Sequence, residues 1–138
     1  MSASEEIKEF ARRAAEAASE VKATSIVALD VSERLVVTEV FLVISGSSDP
    51  QLRAIVNGVE RALHEAGLKR KRREGLDAEI HWVLLDYGDL IVHVQRDEDR
   101  EFYALEKLWG DCPVVDLGIE LESEEPSTLD RLLAGTEE

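Results

Sequence analysis

Residues 82–111, WVLLDYGDLIVHVQRDEDREFYALEKLWGD, constrain the fold more than any other stretch. They read as strand, two-residue turn, strand and short helix. Tyr87-Gly88-Asp89 supplies the turn, with Gly88 free to take positive φ. The chain must therefore hold an antiparallel hairpin with a helix behind it. The same stretch carries both tryptophans and both tyrosines, set among charged residues. A buried hairpin has little use for that mixture, whereas a docking surface does.

The remaining elements arrange themselves around this unit. Residues 5–20 read as a helix, with Ile7, Phe10, Ala11, Ala14 and Ala18 at helical spacing and Ser2 with Glu5 as a capping box. Thr24 to Asp30 and Leu35 to Ser45 read as strands, and their near-continuous apolar character predicts cover on both faces. Gly46 to Asp49 is a turn. Asp49 then caps a helix that has Pro50 in its first position, Leu52, Ile55, Val56, Val59 and Leu63 on its core face, and Gly67 at its end. Leu68 to Glu74 is a polar edge strand, and Ile80 to Tyr87 with Leu90 to Gln95 form the hairpin. Asp97 or Asp99 caps a last helix ending at Gly110, with Pro113 beyond it. This order predicts an α/β sandwich: a mixed sheet of about five strands flanked by helices.

Residues 1–115 are expected to form one domain. From Asp116 onward, eight acidic residues face one basic residue, Arg131, so 116–138 reads as an acidic, mostly flexible tail. No apolar run approaches the ~20 residues of a membrane helix, and the start lacks a secretory pattern. Cys112 is the single cysteine and has no internal partner. A reduced, cytoplasmic protein fits these features. The net charge of −14 suits docking on a basic protein surface better than gripping a phosphate backbone.

The candidate contact residues follow from alternation along the hairpin. If Val83 and Leu85 face the core, Trp82 and Leu84 point the other way beside Asp86. Either a partner covers that face or a helix does, leaving Trp82 as ordinary core. Phe102, Leu105 and Trp109 share one packing face of the last helix, which leaves Arg100, Tyr103, Glu106 and Lys107 on its other sides. His93 lies on the neighbouring strand, where a lone histidine is commonly a hydrogen-bonded structural residue. Lys69 to Arg73 is the one basic run. It guards a sheet edge or touches RNA phosphates.

Signs of chemistry are weak. Gly46-Ser47 after a strand resembles the opening of a nucleotidyltransferase site, but the acidic pair that would hold Mg²⁺ is missing, and Asp97-Glu-Asp99 stands at a helix start. No phosphate loop or nucleophile elbow is present. His64 and His81 are scattered, and Cys112 beside Asp111 makes a poor nucleophile. The expectation is no catalytic residue, no metal and no cofactor.

Several motifs nonetheless resemble one family. Ile26-Val-Ala-Leu-Asp30, the Phe41 to Ser47 strand, Arg73-Glu-Gly75, Trp82-Val-Leu-Leu-Asp-Tyr-Gly-Asp89, Val92-His93 and Arg100-x-x-Tyr103-x-Leu105-Glu106-x-Leu108-Trp109-Gly110-Asp111 together resemble the ribosomal silencing factor, or Iojap, family. The resemblance runs from about Thr24 to Pro113 and leaves out the acidic tail. It implies a nucleotidyltransferase-like fold without that activity. It also implies binding to the fourteenth large-subunit ribosomal protein on the intersubunit face, which blocks small-subunit joining and lowers translation when nutrients are scarce. Bacterial members, without a transit peptide, fit best. Trp82 and Leu84 would then form the apolar centre of the contact. Asp86, Asp89 and Glu106 would face basic groups, with Arg100 and Tyr103 at the rim and Tyr87 and His93 completing the set. Two positions depart from the family pattern: Glu39, where Asp is usual, and Gln95, where an aromatic is common. Two other classes stay open, a residual nucleotidyltransferase-like enzyme and a self-associating adaptor that forms a homodimer when free.

Overall fold

A computed structural model describes residues 3–97, 109 and 111–119. The first helix, α1 (Glu5–Glu20), starts where Ser4, in an extended conformation, accepts the Ile7 N–H with its hydroxyl. The cap is thus Ser4, one step inside the expected Ser2–Glu5 box. Its buried stripe is almost all alanine, Ala11, Ala14, Ala15 and Ala18. Such a stripe lets a second helix approach closely. That helix is α2 (Asp49–Glu65), whose Gly58 lies against Ala17.

The cap of α2 is Ser48, not Asp49: Ser48 is extended and accepts the Gln51 N–H. Asp49 stands in the first turn and pairs with Arg96, where a carboxylate also complements the helix dipole. Gly67, at φ +87°, ends the helix, and Leu68 N–H returns to the Leu63 carbonyl at 2.9 Å.

Among the described residues, six strands make one mixed sheet: β1 (Ser25–Asp30), β2 (Val40–Gly46), β3 (Arg72–Glu74), β4 (Trp82–Asp86), β5 (Leu90–Arg96) and β6 (Val114–Val115). Their order is β3-β4-β5-β2-β1-β6, and only β2 with β5 runs parallel. The sequence reading was one strand short, because the two-residue β6 carries no periodic signal. Pro113 supplies its entry, with its carbonyl accepting the Asp30 N–H at 2.8 Å.

The second strand is shorter than expected. Residues 32–39 form a loop, although Leu35, Val36 and Val37 are good strand formers. The Asp30 carboxylate takes both the N–H and the hydroxyl of Ser32, and the Arg34 and Leu35 N–H groups fold back to the Val31 carbonyl. Those local bonds turn the chain before pairing can begin.

Two apolar clusters lie on opposite faces of the sheet. The larger joins both helices to Ala28, Val40, Leu42, Ile44, Val83, Leu85, Val92 and Val94. The smaller contains Val27, Leu29, Val31, Phe41, Val43 and Cys112, with Leu35, Trp82, Ile91 and Trp109 packed on it. Every residue of β2 is buried, as its two-faced apolar run predicts. Leu117 and Ile119, past the expected domain limit at 115, also pack on the larger cluster.

Candidate functional site

The hairpin closes as read. Gly88 has φ +89°, and the Tyr87 N–H meets the Leu90 carbonyl at 2.9 Å. In β4 the alternation is strict, with Val83 and Leu85 buried and Trp82, Leu84 and Asp86 half-buried. The half-buried set therefore lies on the face away from α1 and α2, the face on which Trp109 also packs. Leu84 joins neither apolar cluster among the described residues. Asp86 does two jobs. Its carboxylate accepts the Gly88 N–H at 2.8 Å and stiffens the turn, and by the alternation of β4 its side chain lies on the face with Leu84. Asp89 is exposed at the tip.

Trp82 is half core and half surface. Its indole N–H donates to His93 Nδ1 at 3.0 Å, with ring centroids 5.6 Å apart. His93 in turn meets Phe41 edge-on at 4.8 Å, and Phe41 meets Trp109 at 5.1 Å. Because Nδ1 accepts, the neutral ring carries its proton on Nε2. Burial pushes the His93 pKa down to about 4, so the ring is uncharged at neutral pH. His93 is 5 % exposed and acts from behind, setting the plane of Trp82 and not touching solvent itself.

Tyr87 is also buried, on the helix side, where it lines an open cleft with Glu60, Leu68 and Arg70. Burial, with the nearby Glu60 carboxylate, lifts its phenol to about 12. Of the expected set, the structure thus brings Trp82, Leu84, Asp86 and Asp89 to one side, with His93 beneath them. Arg100, Tyr103 and Glu106 lie outside the described residues, as do Phe102 and Leu105.

The basic run forms the sheet edge. Residues 72–74 are exposed and, among the described residues, pair only with β4. Arg70 and Arg73 both hold Glu60, and Arg72 holds Glu74 at 2.8 Å. Gly75, at φ +91°, follows directly; a Cβ there would lie 2.0 Å from the Trp82 carbonyl oxygen. The glycine thereby lets the backbone pass against Trp82, the first residue of β4.

The two departures from the family pattern have distinct consequences. Glu39 remains in use, its carboxylate accepting the Ser4 N–H at 2.7 Å and tying down the start of α1. Gln95 is fully buried with no hydrogen-bond partner for its amide, the cost of placing an amide in an aromatic site. Among the described residues, no three His, Cys, Asp or Glu side chains are placed to hold a metal ion. No helix among them is long and apolar enough to cross a membrane.

Three features escaped the sequence reading: the Trp82–His93 bond, the approach of Gly75 to Trp82, and the exposed tip at Val36 and Val37. Only the second left a signal, the glycine after the basic run.

Comparison with known proteins gives a consistent result. The family model described as "Ribosomal silencing factor during starvation" matches residues 4–132, well beyond the Thr24–Pro113 resemblance and into the acidic tail. A ribosomal silencing factor of Bacillus subtilis is 42 % identical over 110 residues, covering 80 % of this chain and 92 % of that protein. The chloroplastic protein Iojap of Zea mays is 34 % identical over 110 residues, covering 78 % of this chain and 46 % of its own. A crystal structure from Chromobacterium violaceum superposes with a TM-score of 0.70 at 32 % identity, covering 88 % of this chain and 95 % of that one. One from Bacillus halodurans gives 0.69 at 34 % identity, covering 82 % and 99 %.

Proposed function

Since the chain belongs to the ribosomal silencing factor family, we propose that it represses translation by binding the large ribosomal subunit and excluding the small one. The contact is with the fourteenth large-subunit protein at the intersubunit face, in the cytoplasm, under nutrient limitation. No bond is made or broken; a bound body of 15.4 kDa occupies space that the small subunit must enter.

The observation that carries this reading is the half-buried row Trp82, Leu84 and Asp86 on the face of β4 away from α1 and α2. Trp82 and Leu84 supply the apolar centre, and Asp86 and Asp89 supply acidic neighbours for a basic partner. His93 holds the indole in place. Arg100, Tyr103 and Glu106 complete the rim. The basic segment has the smaller part. Three of its arginines are engaged with Glu60 and Glu74, so a contact with ribosomal RNA falls to Lys69 and Lys71.

The test is co-sedimentation of the protein with purified large subunits, followed by addition of small subunits. Stoichiometric binding that blocks subunit joining is expected, and Leu84→Asp should lose both while keeping a cooperative unfolding transition. Wild-type protein that leaves large subunits bare would end the reading.

A further inference from the structure

Resting on that reading, we infer that the loop between β1 and β2 is a second element of the docking surface, with Val36 and Val37 as its apolar contacts. Val36 is 102 % exposed and Val37 75 %. Two adjacent β-branched side chains exposed together make a small apolar patch and not a scattered single residue.

The loop is held rigidly. At its base Val31 N–H meets the Glu39 carbonyl at 2.9 Å. Leu35, just before the tip, packs into the smaller apolar cluster with Trp82 and Ile91. Arg34 pairs with Asp111 at 2.8 Å and lies over the Trp109 ring at 4.6 Å. A preformed tip loses little conformational entropy on binding.

The loop is also joined to the hairpin turn. Thr38 donates its hydroxyl to the Gly88 carbonyl at 2.9 Å, and the Glu39 and Val40 N–H groups both reach the Asp89 carbonyl. Three hydrogen bonds thus tie the end of the loop to the hairpin turn, which sets Val36 and Val37 near the end of the hairpin that carries Asp86 and Asp89.

Charge names the occupant. The tip is flanked in sequence by Glu33 and Glu39, and Asp89 is exposed beside it on a chain of net charge −14. The fitting partner is a basic protein surface with a shallow apolar depression, continuous with the surface that takes the hairpin.

The test titrates labelled protein against purified large subunits. Val36→Ser/Val37→Ser should weaken binding about 10- to 100-fold, as expected when a contact partly buries two valines. Its unfolding midpoint should stay at the wild-type value, because neither side chain packs in the fold. Val36→Thr/Val37→Thr keeps shape and β-branching and should give a smaller loss in the same direction. Leu84→Asp, measured in parallel, separates the two claims. If it abolishes binding while both valine variants bind as wild type, the loop is no contact and the hairpin reading stands. If the wild type does not bind, both fall. Sedimentation of the free proteins supplies the other arm. A serine variant that converts a dimer to a monomer yet keeps its ribosome affinity would make the occupant a second copy, overturning the inference.

Discussion

Acid should loosen this fold through His93, and one amide substitution should remove the sensitivity. The ring sits against Phe41 and Trp82, and burial lowers its pKa from 6.5 to about 4. The unfolded chain takes up the proton near the ordinary value, whereas the folded chain resists it. The stability contributed by the neutral ring is therefore whole above pH 6.5 and is withdrawn as pH falls towards 4. At about 1.4 kcal/mol per tenfold change, the loss amounts to about 3 kcal/mol, a large fraction of the roughly 5–15 kcal/mol that holds a domain together. Protonation also occupies the Nδ1 lone pair that accepts the Trp82 N–H. His93→Gln does not titrate, and its amide oxygen can take over that bond. Urea unfolding followed by tryptophan fluorescence, at a series of pH values from neutral to acid, measures the difference directly. The many carboxylates shared by both proteins cancel in the comparison. The variant should gain on the wild type by about 3 kcal/mol over the acid range. Parallel curves, with the His93 imidazole titrating at its ordinary value by NMR, would refute the argument.

Further outcomes follow from the same geometry. Gly75→Ala should cost about 2–4 kcal/mol of stability, since it adds a left-handed alanine to a clash with the Trp82 carbonyl. A urea midpoint equal to wild type would mean that the chain does not pass so close there. Asp89→Lys, at an exposed tip, should leave stability within about 0.5 kcal/mol. It should also weaken large-subunit binding at low salt and make that binding less salt-dependent. Unchanged titrations at low and high salt would remove Asp89 from the contact.

The sequence made some of this molecule legible and hid the rest for identifiable reasons. Both helices could be read because Ile7 and the alanines in α1, and Leu52 to Leu63 in α2, repeat at helical spacing over about three turns. The hairpin was legible because Gly88 marks its turn and Trp82 to Tyr87 alternates. The caps were off by a residue or two, because Ser2, Ser4, Ser48 and Asp49 all suit that role and only backbone conformation chooses among them. The Leu35 to Thr38 segment misled because β-branching reports a preference for extended backbone and says nothing of pairing. There the decisive bonds run from Asp30 to Ser32, two residues apart. The strand β6 was invisible because two residues carry no period. The Trp82–His93 bond depends on β4 and β5 lying side by side with Leu84 opposite His93, a register that follows from the turn but names no hydrogen-bond partner by itself.

The single parallel pairing, β2 with β5, sets the order of events during folding. Val40 stands opposite Leu90, and Gly46 opposite Arg96, so each rung closes a loop of about fifty residues, a slow step for a chain this size. The hairpin that bears Trp82 and Leu84 can turn back on itself early, but it lies at the margin until β5 finds β2. The loop tip at Val36 and Val37 reaches its place beside Asp89 by that same closure. A chain emerging from a ribosome consequently has no completed sheet until residue 96 is clear of the exit. The two halves of the sheet, the hairpin on one side and β1 with β2 on the other, become one body only at that point.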